Sequence, residues 1–169
     1  MKTKILTTII TLLLLVGLVT ALPVANVQAW GCRRKVTYFT GTASFAFEDE
    51  FKPNPDFSNA IVIPIGDCIL TKGIIVKFHH NWVPFGEGIN VNDPLNKLLK
   101  ADGTQIIWGR HVLTFPSVTL TGYFYGKATP DGQLTARYVS WGNGYKVIWR
   151  YEGDMGAGAG TISGVIIET

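Results

Sequence analysis

The sequence predicts an all-β fold of about eight antiparallel strands in an up-and-down barrel, with one short helix. Three observations predict it. The segments after residue 35 are short, they are rich in β-branched and aromatic residues, and Gly, Pro, Asn and Asp separate them. Closing such a meander into a barrel removes the exposed strand edges that favour aggregation. A β-sandwich is the alternative, and the absence of a regular long crossover favours the barrel.

The first predicted strand covers residues 35–47 and has one buried face. Phe39 and Ala43 are among its apolar odd positions, whereas its even positions are mostly polar. A loop interrupted by prolines follows, because proline cannot take part in regular strand pairing. Two further strands, 59–65 and 69–82, are predicted after that loop.

The irregular stretch 83–103 contains the predicted helix, Asp93–Lys100. Asp93 stands at a capping position and Pro94 at the first helical position, with leucines on one side and lysines late. A helix of two turns is not stable alone in water, so its leucine side is expected to pack on the strands.

Tight turns join most of the remaining strands, which are predicted at 104–115, 117–128, 133–141, 145–151 and 161–168. Asn143-Gly144 is the strongest hairpin signal, because both residues accept the positive φ of a type I′ turn. The glycine-rich stretch 153–160 is interpreted as a connection. It is not a phosphate loop, since a strand follows it and no Lys-Ser or Lys-Thr ends it.

The first 29 residues are predicted to be a signal peptide, which leaves 30–169 as a single barrel domain. A start with two lysines precedes the apolar run 5–19, and Val27-Gln28-Ala29 has the small residues typical of a cleavage site. The run is shorter than the roughly 20 residues that a spanning helix needs. The mature protein is therefore expected to be secreted or extracytoplasmic, in the cell envelope, with no transmembrane segment.

The charge balance excludes a polybasic surface for binding nucleic acid. The chain has 15 Lys and Arg against 12 Asp and Glu, and removal of the signal peptide would take two lysines with it. Phosphate binding needs a cluster of basic residues, which a nearly balanced domain does not offer overall. Nucleic acid is therefore not an expected partner.

Cys32 and Cys68 are the two cysteines, and they are predicted to form a disulfide. Thiols outside the cytoplasm tend to be oxidised, and an even count favours pairing. Closing this loop would stabilise the fold by about 3.8 kcal/mol in the chain-entropy model. Free or separately paired thiols are the alternative. No Cys or His lies close in sequence to either residue, so no metal site is expected.

Alternation places two histidines on the apolar faces of their strands. His80 shares a face with Phe78, while His79 points to the other side. His111 shares a face with Phe115 on a neighbouring strand. Two inward imidazoles suit a ligand cavity, a metal site or acid–base chemistry. The structural alternative is a pair of core histidines bonded to backbone or tyrosine.

A non-enzymatic binding module is the function that these patterns favour. Its cavity would hold a small apolar or amphipathic ligand, lined by Phe45, Phe78, His80, His111 and Phe115. No catalytic residue, metal or other cofactor is predicted, because the sequence has neither an activated-nucleophile motif nor a third zinc ligand at diagnostic spacing. An isomerase or hydrolase that uses the inward histidines is a weaker alternative.

Two tryptophans support a second hypothesis, a structural or adhesion domain of the cell envelope. Trp108 and Trp141 fall on the strand faces that carry arginines, and exposed rings of this kind suit contacts with sugars or a protein partner. An oligomer interface would use the same rings. The structural alternative is that they cover the strand surfaces.

Two segments at the ends of the domain resemble small exported calycin-like barrels of the lipocalin and allene-oxide-cyclase type. They are Phe39–Phe45 and Gly156–Ile166, which look like the glycine- and threonine-containing strands of those proteins. The resemblance implies that the first and last strands pair and that the interior holds a small apolar ligand. The lipocalin Gly-x-Trp signature is absent, since Trp30-Gly31 has the reverse order, and no catalytic residue of the cyclase aligns.

Overall fold

The computed structural model describes residues 34–44 and 60–169, which form nine antiparallel strands in one ring-like sheet. The predicted all-β antiparallel class is confirmed. The strands are β1 (Val36–Ser44), β2 (Ile61–Ile65), β3 (Cys68–Trp82), β4 (Gly86–Leu99), β5 (Gln105–Thr114), β6 (Thr119–Ala128), β7 (Gln133–Gly142), β8 (Tyr145–Asp154) and β9 (Ala159–Glu168). These described residues contain no helix with the length and apolar character to cross a bilayer.

The sheet returns on itself because β1 pairs along both of its edges. Each strand from β2 to β9 pairs with the next along the chain, and β9 then pairs with β1 over the whole of β1. Residues 41–44 of β1 also pair with residues 79–82 of β3. The first and last described strands therefore lie side by side, and β2 is left at the outer edge of β3.

Strand alternation separates the two faces of the sheet as predicted. On β3, His80 and Trp82 are buried while His79 is exposed, and on β5 His111 is buried while Arg110 is exposed. Side chains of successive strand residues point to opposite faces, so the buried sets line the inside of the ring. The predicted inward direction of both histidines is confirmed.

The predicted helix at Asp93–Lys100 is wrong. Residues 93–99 belong to β4, which pairs with β3 on one edge and with β5 on the other. Pairing on both edges of β4 satisfies backbone N–H and C=O groups of β3, β4 and β5. A two-turn helix at this place would leave those of β3 and β5 without partners. The register shifts between Asn92 and Leu95, where Pro94 has no N–H to donate. The apparent helix signal therefore marks part of an irregular strand, β4, in addition to the eight strands that the sequence predicts.

The Asn143-Gly144 hairpin is confirmed between β7 and β8. Both residues have positive φ, 51° and 78° respectively, as the predicted turn requires. Asn143 Oδ1 also accepts a hydrogen bond from the backbone N–H of Thr119 at 3.0 Å, so the turn is joined to the start of β6.

Several predictions fall outside the described residues, namely the signal peptide, Cys32 and Phe45. Cys68, at the start of β3, is a half-buried free thiol, and the described residues contain no disulfide.

Candidate ligand site

Aromatic side chains fill the middle of the ring-like sheet. The Tyr138 ring stacks on the Trp149 indole, with ring centroids 3.7 Å apart and planes 7° from parallel. Trp82 meets the same indole edge-on at 5.2 Å. The imidazoles of His80 and His111 meet it edge-on at 5.4 Å and 5.8 Å. Trp149 is therefore the centre of the core, and ring contacts hold it on several sides.

A chain of hydrogen bonds crosses the core from β8 to β4. The Trp149 indole N–H donates to Ser140 Oγ at 3.0 Å, and Ser140 Oγ lies 3.0 Å from His111 Nε2. His111 Nδ1 lies 2.9 Å from Asn90 Oδ1, and Asn90 Nδ2 donates to Asn92 Oδ1 at 3.0 Å. All five residues are buried. Each bond therefore satisfies a polar group that would otherwise be costly inside the protein.

The direction of these bonds fixes the His111 tautomer. Because Asn90 presents its carbonyl oxygen, His111 Nδ1 carries the proton and donates. A neutral imidazole has one N–H, so Nε2 accepts from the Ser140 hydroxyl. Burial lowers the pKa of His111 to about 4, while the contact with the Val139 backbone acts in the opposite direction. The ring is therefore neutral near pH 7, as this assignment requires.

Gly122 on β6 allows His111 to reach Ser140. In the sheet register Gly122 lies between these two residues, opposite His111 on β5 and opposite Ser140 on β7. Because glycine has no side chain, the imidazole extends across β6 to the serine. A Cβ at Gly122 would overlap the Val139 carbonyl oxygen, so the position has no room for a larger residue.

Gly122→Ala is expected to lower the free energy of unfolding by about 2 kcal/mol, because the added methyl group crowds a filled core. The measurement is urea unfolding followed by tryptophan fluorescence. Thr121→Ala, at the exposed position beside it, is the control and is expected to change that free energy by about 0.5 kcal/mol at most. Equal stability of Gly122→Ala and the wild type would contradict the close approach of β6 and β7.

His80 faces the core from β3 and is bonded to Trp82. The Trp82 indole N–H donates to His80 Nδ1 at 3.1 Å, so the neutral ring carries its proton on Nε2. Burial, followed by the nearby imidazoles of His111 and His79, lowers the pKa of His80 to about 3. At neutral pH the His80 Nε2–H is therefore a hydrogen-bond donor on an uncharged ring.

A cleft of about 820 Å³ opens beside His80, at the point where β1 ends. Five strands and the turn after β5 contribute to its lining, which comprises Thr42, Ala43, Ser44, His79, His80, Asn81, Glu87, Gly88, Ile89, Thr114, Phe115, Pro116, Ala159 and Gly160. The Phe115 ring lies over Gly88, where a Cβ would overlap it. The lining therefore combines apolar surface with a few hydrogen-bonding groups, as small-molecule sites do.

Two buried polar atoms have no hydrogen-bond partner within the described residues, Asn92 Nδ2 and the Tyr151 hydroxyl. Burial raises the pKa of the Tyr138 phenol. The neighbouring Asn92 side chain acts to lower that pKa, and the Tyr151 phenol acts to raise it further. These effects place the three polar groups near one another. The Tyr151 ring also lies against Gly160, which lines the cleft. A second polar region therefore lies next to the cleft, inside the sheet.

The structure brings two of the predicted ligand residues to the cleft and places two others elsewhere. His80 and Phe115 line it. Phe78 is half-buried, with its ring 6.4 Å from that of His80. His111 belongs to the buried hydrogen-bond chain instead, and Phe45 lies outside the described residues.

Sequence reasoning missed three polar members of the hydrogen-bond chain around His111, which are Asn90, Asn92 and Ser140. Asn90 and Asn92 lie in the stretch 83–103, whose sequence shows no regular alternation. Ser140 shares a buried face with Tyr138 on β7, and the alternation of that strand could have placed it inward. A single serine among apolar residues carries no further signal of its own.

Comparison with protein-family models, with curated proteins and with solved structures found no match for this chain. In the part of the chain that the structure describes, no three His, Cys, Asp or Glu side chains come together as metal ligands. The cleft and the hydrogen-bond chain are therefore the features from which a function has to be inferred.

Proposed function

We propose that the ring-like sheet closes as an antiparallel barrel and serves as an exported, non-enzymatic binding module for a small amphipathic ligand. The pairing of β1 with both β9 and β3 supports the barrel. The resemblance of the chain ends to calycin-like barrels supports the same arrangement. The apolar run near the N-terminus supports export.

The cleft beside His80 is the observation that carries this proposal. Ala43, Ile89 and Phe115 offer apolar surface to the ligand's hydrocarbon part. The His80 Nε2–H offers a hydrogen bond to an acceptor on the ligand, such as a carbonyl or carboxylate oxygen. Because aromatic rings fill the centre of the sheet, the ligand lies in the cleft and not across the whole interior.

The chemistry of the two inward histidines supports binding over catalysis. Both ring nitrogens of His111 are engaged in the buried hydrogen-bond chain. The pKa of His80, about 3, makes it a weak base, whereas general acid–base catalysis near neutrality works best with a pKa close to the working pH. Neither ring is therefore well suited to move protons for a substrate at pH 7.

A blocked cleft tests the proposal. Dansylaminoundecanoate, a fluorescent fatty-acid analogue, is expected to bind the wild type, with the complex also visible by native mass spectrometry. Ser44→Trp places a large ring on the exposed rim of the cleft and is expected to weaken binding about tenfold. Thr40→Trp adds the same ring at an exposed position of the same strand, outside the cleft lining, and is expected to leave binding unchanged.

Two results would overturn the cleft proposal. One is that no dansylaminoundecanoate binds, even at concentrations far above its dissociation constants for other fatty-acid sites. The other is equal binding by Ser44→Trp and Thr40→Trp, which would place the probe elsewhere. Export is tested separately, by determining the N-terminal residue of the protein recovered outside the cytoplasm, which is expected to be Trp30.

A further inference from the structure

The outer face of β5–β8 carries four aromatic rings and four cations. Three rows of paired positions run across these strands. The rows are Trp108, Tyr125, Arg137 and Arg150; then Arg110, Tyr123, Val139 and Ile148; then Val112, Thr121, Trp141 and Lys146. We call these positions the aromatic–basic face. None of them is acidic, although acidic and basic residues are nearly balanced over the whole chain.

Three of the four rings of this face are exposed to solvent. Tyr123 and Tyr125 are 57 % and 58 % exposed, and Trp141 is 42 % exposed. Large aromatic side chains normally lose most of their surface to the core, and an exposed group of them marks an interaction surface. None of the twelve positions of the face lines the cleft, so the ligand proposed above does not explain it.

Contacts between neighbours hold the rings in position. The Arg110 guanidinium lies 5.9 Å from the centre of the Tyr123 ring, in cation–π geometry. Tyr123 in turn meets Trp141 edge-on at 6.4 Å. The strands fix the backbone, and these contacts limit the side-chain rotamers. The face therefore loses little conformational entropy when a flat partner binds to it.

We propose that the aromatic–basic face binds an acidic polysaccharide. The C–H-rich face of a sugar ring stacks on an aromatic ring, and carboxylate or sulfate groups pair with arginine through charge-assisted hydrogen bonds. Tyr125 and Arg137 are direct cross-strand neighbours, so one sugar unit reaches both. Among the described residues, Arg150 is the one cation of the face that forms an ion pair, with Glu152.

The charge of the face selects this partner over the alternatives. A second copy of the same face would bring cations against cations, which disfavours a dimer through it. Single-stranded nucleic acid also stacks on aromatic rings, but it carries a phosphate on every unit and is held by a continuous positive groove. The aromatic–basic face is the open side of a sheet, its four cations stand among rings and uncharged side chains, and Arg150 is already paired with Glu152, so it forms no such groove.

Affinity electrophoresis with polygalacturonate in the gel tests the proposal. The polymer is expected to retard the wild type, and salt at about 0.15 M is expected to weaken the retardation by screening the cations. Tyr125→Ala and Arg137→Gln are each expected to weaken binding about tenfold. Tyr38→Ala, at an exposed tyrosine of β1 outside the face, is the matched control and is expected to bind like the wild type.

Parallel gels separate the possible partners. Dextran, which has no charge, is expected to retard the protein less than polygalacturonate, and oligothymidylate is expected to bind more weakly than the acidic polymer. Tighter binding of oligothymidylate would overturn the proposal in favour of nucleic acid. Absence of retardation by polygalacturonate, or equal retardation of Tyr125→Ala with a native circular-dichroism spectrum, would also overturn it. The Ser44→Trp variant is expected to be retarded normally, which distinguishes this face from the cleft.

Discussion

Trp149→Ala is expected to lower the free energy of unfolding by about 4 kcal/mol, as large losses of buried aromatic volume do. The indole is 2 % exposed. Removing it takes away the stacking partner of Tyr138 and the edge contact with Trp82. It also removes the donor to Ser140, which leaves a buried hydroxyl with one bond fewer. The loss is measured by urea denaturation at pH 7, followed by far-ultraviolet circular dichroism.

Trp149→Phe separates the packing of the ring from its hydrogen bond. Phenylalanine keeps an aromatic ring against Tyr138 but has no N–H for Ser140, so the expected loss is smaller, about 2 kcal/mol. Trp141→Ala is the matched control, because Trp141 lies on the outer face of β7. Its loss is expected to stay within about 0.5 kcal/mol. Similar losses of the free energy of unfolding for Trp141→Ala and Trp149→Ala would contradict the outward direction of the Trp141 side chain and the inward direction of the Trp149 side chain.

The sequence predicted the fold class and most strands because regular alternation marks a sheet that is buried on one side. It failed at β4, where the inward positions include Asn90 and Asn92 and Pro94 interrupts the register. Alternation along a strand predicts that a polar side chain faces outward unless its buried hydrogen-bond partner is known. The partner of Asn90 is His111, which lies 21 residues further along the chain, so no local pattern reveals the pair.

The candidate site was predicted only in part for a related physical reason. Alternation shows which way His80 and His111 point, but it does not show how far each ring extends. Gly122 lets the His111 ring cross β6 to Ser140, and this contact removes His111 from the cleft. The cleft itself is lined by residues of β1, β3, β4, β5 and β9, which only the assembled sheet brings together, so no single strand reveals it.

A change from pH 7 to pH 5 is expected to lower the free energy of unfolding by about 2 kcal/mol for each inward histidine. The folded-state pKa values of His80 and His111 are about 3 and about 4, below the ordinary value of 6.5. At pH 5 the unfolded chain therefore binds protons at both rings and the folded protein does not. Unfolding is favoured as the pH falls through this window, and the full contribution of each ring returns above pH 6.5.

Histidine variants assign this pH dependence to particular rings. The chain has three histidines, and the shifted carboxyl groups, Asp102 and Asp154, have lowered pKa values, so they act below this window. His111→Gln is expected to reduce the change in free energy between pH 7 and pH 5 by about half. His79→Gln, on the exposed face of β3, is the control and is expected to leave it unchanged. A wild-type free energy that does not change over this range would mean that the folded protein takes up the protons too. The imidazoles would then be accessible to water, and neither the neutral His80 donor in the cleft nor the Ser140–His111–Asn90 bonds could exist as described.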